Sequence, residues 1–198
     1  MTRADDAPIY NIVGELVALG PLRRELLPSY TAWINDLGTA RFVSPNPRPW
    51  TAEHEERWYD GVSSASDSAV FTVYERASGR PIGTSSLKGI DQRNRTAEFG
   101  IMLGEPAARG CGYGTEVTRL MLDYAFSALG LHSVMLRAMA ANAAGLRAYQ
   151  QAGFREFGRR RASQLLAGVW IDMVYMDCLA SEFESPVLAR VFAPDEAR

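Results

Sequence analysis

Apolar residues repeat along this chain with two periods, one helical and one strand-like. From Glu116 to Gly130, Val117, Leu120, Met121, Tyr124, Ala125 and Ala128 recur at i, i+3, i+4, i+7, i+8 and i+11, a single buried stripe on a helix. Glu116, Arg119 and Asp123 fall off that stripe, and Gly130 stands where a left-handed C-terminal cap belongs. Leu131 to Met139 is an apolar run of strand length. Asn142 to Phe154 predicts a second helix, with Asn142 as N-cap and Gly153-Phe154 as the C-terminal cap and its hydrophobic contact.

Upstream the pattern is mixed. Gly14 to Leu19 predicts a first strand, Leu26 to Leu37 a helix, and Thr51 to Val62 a second, acidic helix opened by Thr51-Ala52-Glu53-His54-Glu55. Between these helices, Ser44-Pro45-Asn46-Pro47-Arg48-Pro49 is a rigid connector. Ala69 to Glu75 and Pro81 to Ile90 form a hairpin around Ser78-Gly79-Arg80, and Ala97 to Leu103 is the next strand. Late strands cover Phe154 to Arg161 and Val169 to Leu179. This order predicts an α+β fold, a twisted mixed sheet with helices on both faces. No repeat or interior linker divides residues 1–198, so one domain is expected, with a core over about 14–183 and a tail over 184–198 that the pattern does not assign.

Composition narrows the chemistry. A 47% hydrophobic content is ordinary for a globular protein, and a net charge of −2 without a basic stripe gives no footprint for nucleic acid. No apolar run approaches a membrane span, and Met1 to Asp6 is not followed by the apolar core of a signal peptide, so no membrane partner and a cytoplasmic location are expected. Cys111 and Cys178 are too few for a disulfide framework, and His54 and His132 form no metal-spaced cluster, so no metal is expected.

Arg109-Gly110-Cys111-Gly112-Tyr113-Gly114-Thr115 separates the strand at Glu98 to Leu103 from the periodic helix. Glycines let backbone approach a ligand closely, and the helix behind them directs its free N–H groups into the loop. Such a loop holds a phosphate or pyrophosphate, or is a tight strand-to-helix turn. A P-loop requires Gly-Lys-Ser/Thr, whereas the single lysine, Lys88, lies upstream. A dinucleotide site requires an acidic residue about 20 positions on, and none occurs between Tyr124 and Arg155. A pyrophosphate on backbone amides, with Arg109 as cationic partner, remains.

These residues carry a resemblance. Arg109, Gly112 and Gly114, followed by Asn142, Tyr149, Gly153 and Phe154, resemble the pattern of the GNAT superfamily of acyl-CoA-dependent N-acetyltransferases. Ala97-Glu98-Phe99-Gly100, Gly112 to Glu116 and Gly168 to Asp172 are similar to the branch holding spermidine/spermine and ribosomal-protein N-terminal acetyltransferases. The resemblance covers roughly 14–183, is specific over 98–154 and weak over 30–67. It implies a sheet whose central parallel strands splay apart, and acetyl-CoA as co-substrate.

The resemblance also implies roles. The amides of Gly110, Cys111, Gly112, Tyr113, Gly114 and Thr115 would hold the CoA pyrophosphate, with backbone groups of Met102 and Leu103 along the pantetheine arm. Asn142 would position the pantetheine or thioester end, although as a residue it reads equally as a helix cap. Tyr149 would protonate the departing thiolate, although it reads equally as a core aromatic. Glu98 is the candidate base for the amine, directly or through water, against pairing with Arg93 or Arg95. Cys111 is non-catalytic. Arg159-Arg160-Arg161 reads as a solvated start of a strand, with a CoA phosphate contact as the alternative. Trp170 and Asp172 read as late-strand packing and a local hydrogen bond. Trp33, Trp50, Trp58 and Tyr59 read as helix-face packing, with an acceptor pocket as the alternative.

Three functions fit. The first is acetyl transfer to a small-molecule amine: a polyamine, an amino sugar or an aminated antibiotic, with Glu53, Glu55, Glu56 and Asp60 attracting a cation. The second is acetylation of a protein N-terminus, and the third is a non-catalytic acyl-CoA sensor. A homodimer is implied by family analogy alone.

Overall fold

Asp36 divides the first helical stretch in two. The computed structural model describes residues 7–43 and 48–193, so Ser44 to Pro47 of the expected connector lie outside the described residues. Helix α1 spans Leu27–Asn35, with Pro28 in its first turn, and α2 spans Leu37–Val43. The Asp36 carboxylate accepts from the N–H groups of Gly38 and Thr39 and from the Thr39 hydroxyl, which makes it the start signal of α2 rather than a link inside one helix. Helix α3, Ala52–Ser64, begins where expected, capped by the Thr51 hydroxyl accepting from His54 N–H.

The expected first strand is two short ones, β1 Ile12–Val13 and β2 Val17–Pro21. The turn between them is held from a distance. The carboxylate of Glu116 accepts from the backbone N–H groups of Glu15, Leu16 and Val17 at 2.6–2.8 Å. Strands β3 Ala69–Glu75 and β4 Pro81–Asp91 form the expected hairpin, and β5 is Thr96–Leu103. Helix α4, Tyr113–Asp123, runs on into a π-helical turn over Tyr124–Ala128 and ends at Gly130, whose φ is +62°. Strand β6 is Ser133–Met139, α5 is Ala143–Ala152, β7 is Arg155–Leu166 and β8 is Val169–Leu179.

The eight strands make one mixed sheet in the order β1-β2-β3-β4-β5-β6-β8-β7. All neighbours are antiparallel except β5 and β6. That parallel pair is short: Thr96, Ala97 and Glu98 face Ser133, Val134 and Met135, and pairing stops there. Beyond Glu98, β5 keeps β4 on one side only, and β6 keeps β8. The central strands therefore splay, as the resemblance implied.

Strand alternation sorts the sheet into two faces. Val117, Leu120 and Met121 of α4 join Ala97, Phe99 and Leu87 in the main core. On the other face, Thr84, Ser86, Glu98, Gly100 and Met102 lie with residues of α1 and α3. The apolar stripe of α4 is correct but too narrow, because Thr118, Leu122 and Asp123 are buried as well. Asp123 is covered by the C-terminal segment. Its carboxylate accepts from the hydroxyls of Ser127 and Ser185 and from the N–H groups of Val187 and Leu188, and Leu188 is inserted into the core. The part of the tail up to Ala193 thus has a place that the apolar periodicity alone did not reveal.

Candidate active site

The glycine loop is built for close approach. Gly110 and Gly112 have φ of +76° and +83°, the left-handed region that side chains disfavour. The N–H groups of Gly110, Cys111, Gly112, Tyr113 and Gly114 donate to no acceptor among the described residues, whereas those of Thr115 and Glu116 close onto the Gly112 carbonyl. Gly114 sits where α4 meets β5 and α5: a Cβ there would be in ordinary contact with Leu103 at 3.7 Å and Ala148 at 3.9 Å. Five unpaired amides in alternating backbone conformations at a helix N-terminus suit a pyrophosphate. Two expected details change. The N–H of Thr115 is already used by the helix, and the Arg109 guanidinium reaches away, 2.6 Å from the Thr39 hydroxyl and 3.4 Å from Asp36. Arg109 ties the loop to α2. Tyr113 donates to Glu75 at 2.7 Å, and Cys111 is exposed.

A cavity of about 450 Å³ reaches both sides of the sheet where β5 and β6 part. From α1 and α3 it receives Tyr30, Glu55 and Trp58, and from the other side Asn142 and Tyr149. Met102 of β5 lines it, while Leu103 turns to the core.

The three candidate catalytic residues, Glu98, Asn142 and Tyr149, meet in this cavity beside Met102. Tyr149 packs edge-on against Phe99 and Phe154, with ring centroids at 6.1 and 6.4 Å. Its hydroxyl makes no hydrogen bond among the described residues, and burial pushes its pKa up to about 12. It is both a core aromatic and a protonated donor at the cavity wall. Asn142 is the N-cap of α5, its Oδ1 accepting from Gly145 N–H at 3.0 Å, so the amide group is held in place by the helix it starts. Glu98 alternates with Phe99 and faces the cavity. Its partner is neither Arg93 nor Arg95 but Arg137 of β6, at 2.8 Å. Arg93 donates its N–H to Asp91, and the Arg95 side chain donates to the Gly130 carbonyl at 2.6 Å. Strand register also sets Lys88 opposite Glu98.

Glu55 is the residue that the sequence did not separate from Glu53, Glu56 and Asp60. Within a run of acidic residues it looks like part of a solvated face, yet it is 5% exposed, lines the cavity, and its carboxylate makes no hydrogen bond or ion pair among the described residues. Burial raises its pKa to about 7. The separating signal is helical phase: Glu55 and Trp58 stand three apart on the inner side of α3.

The aromatic residues divide. Trp50 and Trp58 line the cavity, Trp33 packs over Gly104 and donates to Glu105 at 2.8 Å, and Tyr59 lies under the Arg24 guanidinium. Trp170 is not packed in the late strands: it is 63% exposed at the β7–β8 end. Asp172 does make the local hydrogen bond, accepting from Ala162 N–H at 2.9 Å. Arg159 pairs with Glu156 beside it. Among the described residues no group of three or more His, Cys, Asp or Glu side chains could hold a metal ion, and no helix is long and apolar enough to cross a membrane.

A family model described as an acetyltransferase (GNAT) domain matches residues 17–155. The probable N-acetyltransferase YjcK of Bacillus subtilis is 36% identical over 121 residues, 61% of this chain and 60% of that protein. Spermidine N(1)-acetyltransferase of Vibrio cholerae is 31% identical over 111 residues, 56% of this chain and 64% of that protein. The putative ribosomal N-acetyltransferase YdaF of Bacillus subtilis is 33% identical over 106 residues, 54% of this chain and 57% of that protein. The chain thus covers less than two thirds of these relatives. The crystal structure of spermidine N-acetyltransferase from Vibrio cholerae in complex with CoA and spermine superposes with a TM-score of 0.78 at 24% identity, over 85% of this chain and 98% of that one, which establishes the shared fold.

Proposed function

The chain belongs to the GNAT acetyltransferase family, and from that premise we propose that it transfers an acetyl group from acetyl-CoA to a primary amine of a small molecule. A polyamine, an amino sugar and an aminated antibiotic are the acceptor classes. The observation that carries this reading is the presence in one fold of two features: unpaired loop amides at Gly110 to Gly114, and a cavity that opens where β5 and β6 part and is walled by Tyr149 and Asn142.

In this reading acetyl-CoA supplies the activated thioester, and the chain supplies position and protons. The loop amides hold the pyrophosphate, and the backbone of β5 beyond Glu98 lines the pantetheine arm at Met102 and Leu103. Tyr149, kept protonated by its burial, donates to the leaving thiolate. Glu98 takes the proton of the attacking amine directly or through water, and Arg137 holds that carboxylate at the cavity wall. Asn142, fixed by its own capping bond, orients the thioester end. A volume of about 450 Å³ is in the range of sites that take small molecules, which supports a small acceptor.

The test is release of CoA thiol from acetyl-CoA against polyamines, aminoglycosides, amino sugars and short peptides. Turnover on one amine class is expected. Silence on all of them, with acetyl-CoA still bound, would turn the reading toward a sensor.

A further inference from the structure

Two acidic side chains are buried in the described part of this protein, and they are treated in opposite ways. Asp123 is fully buried and accepts four hydrogen bonds. Glu55 is 5% exposed and accepts none among the described residues. A buried carboxyl without a partner keeps its proton, and its ionised form is stabilised only when something supplies a cation. Glu55 lines the cavity together with the aromatic rings of Tyr30, Phe42, Trp50 and Trp58. Tyr30 and Trp58 meet edge to face at 6.0 Å. A carboxylate among aromatic faces is the chemistry that recognises an organic ammonium.

The other charged or titratable groups lining the cavity are Lys88, Glu98, Arg137, Tyr30 and Tyr149. Glu98 is already compensated by Arg137 and has Lys88 across the strand pair. Glu55 is therefore the carboxylate left to receive a cation. It sits on α3, while Tyr149 and Asn142, where the reaction takes place, belong to α5 across the parted strands.

Resting on the acetyltransferase reading above, we propose that Glu55 binds a second cationic group of the acceptor, so that the substrate class is a molecule with at least two amines, one acetylated near Tyr149 and one held by Glu55. The acceptor spans the cavity, and a monoamine leaves Glu55 unpartnered. Because the Glu55 carboxyl holds its proton up to about pH 7 when the site is empty, arrival of an ammonium displaces that proton.

The experiment uses products, so it does not depend on turnover. Mono-N-acetylated diamines with chains of three, four and five carbons are titrated calorimetrically into the full protein with and without CoA, near pH 6. The neutral N-alkylacetamides of the same lengths serve as controls. The charged product is expected to bind about tenfold or more tightly than its neutral counterpart at one chain length at least. It is also expected to release about one proton per molecule, read from the dependence of the heat on buffer. Both effects are expected to vanish in Glu55→Gln and to survive in Glu98→Gln. Equal affinities at all three lengths, binding without proton release, or effects that persist in Glu55→Gln would overturn the proposal. If the variant does not fold, the affinity ratio and proton release of the parent protein decide alone. Failure of the acetyltransferase reading registers separately, as absence of CoA binding when CoA alone is titrated into the same protein.

Discussion

Glu98 and Arg137 form a 2.8 Å ion pair across the point where β5 and β6 part. Glu98 belongs to the last paired register and Arg137 lies two residues beyond it, so the pair bridges the mouth of the gap. The side chains are 40% and 56% exposed, so solvent screening leaves the pair little effect on stability. Glu98→Gln is expected to change unfolding free energy by less than about 1 kcal/mol, while lowering kcat about tenfold to a hundredfold. Urea denaturation and steady-state rates on the same preparation check both. An unchanged kcat would remove Glu98 from proton transfer.

Tyr149 carries a sharper expectation. Burial raises its pKa to about 12, so the phenol stays protonated through the neutral range and causes no loss of activity with rising pH below that value. Tyr149→Phe keeps the ring packing against Phe99 and Phe154 and removes only the donor. Its kcat is expected to fall about 10²- to 10⁴-fold with acetyl-CoA affinity retained, checked by rates beside calorimetry. Full activity would assign leaving-group protonation elsewhere.

Gly112 tests the loop. At φ +83° an alanine is strained by about 1–2 kcal/mol, and relief of that strain turns amides out of the cradle. Gly112→Ala is expected to weaken acetyl-CoA binding at least about tenfold, with a modest loss of thermal stability. Unaltered affinity would mean that the loop is only a turn.

Asp123 tests the C-terminal segment. Asp123→Ala leaves the N–H groups of Val187 and Leu188 without their acceptor beneath a buried Leu188. A loss of about 3 kcal/mol in unfolding free energy is expected, together with faster hydrogen exchange at Val187 and Leu188. Protection that persists in the variant would contradict this account.

Glu55 makes stability depend on pH. Its carboxyl rises from 4.5 unfolded to about 7 folded, so the folded state keeps a proton that the unfolded chain releases. The stabilisation this gives is complete below about pH 4.5 and is lost as pH rises through about 7. Glu55→Gln imitates the protonated form. It is expected to match the parent near pH 5 and to exceed it by about 2–3 kcal/mol at about pH 8. Denaturation curves at both values check the difference, and an equal increment at both would rule out the titration.

The sequence showed most of what local chemistry controls. The hairpin at Ser78-Gly79-Arg80, the Thr51 cap, Asn142 as a cap and the Gly153 terminus follow from short-range rules, and the structure has each of them. What stayed hidden depends on distant partners. Asp36 is the local exception: its donors Gly38 and Thr39 stand only two and three residues on, a capping pattern masked by the apolar run that spans it. Glu116 and Asp123 look like solvent-facing acids on α4, and only the folded chain brings residues about 100 and 60 positions away onto their oxygens. Arg109 matched a pattern by type and spacing, but its side-chain direction is set by Thr39 and Asp36, seventy or more residues upstream. Glu55 differs from Glu53 and Glu56 only in which side of α3 it occupies, which no composition reveals.

The central claim is that the amides of Gly110 to Gly114 hold the pyrophosphate of acetyl-CoA beside an amine-acetylating cavity. The most direct measurement is calorimetric titration of acetyl-CoA into the full protein, followed in the same sample by addition of a diamine and assay of free thiol. The account predicts saturable binding at one site per chain, weakened in Gly112→Ala, and thiol release only when the amine is added. Absence of acetyl-CoA binding by the intact, folded protein would contradict it.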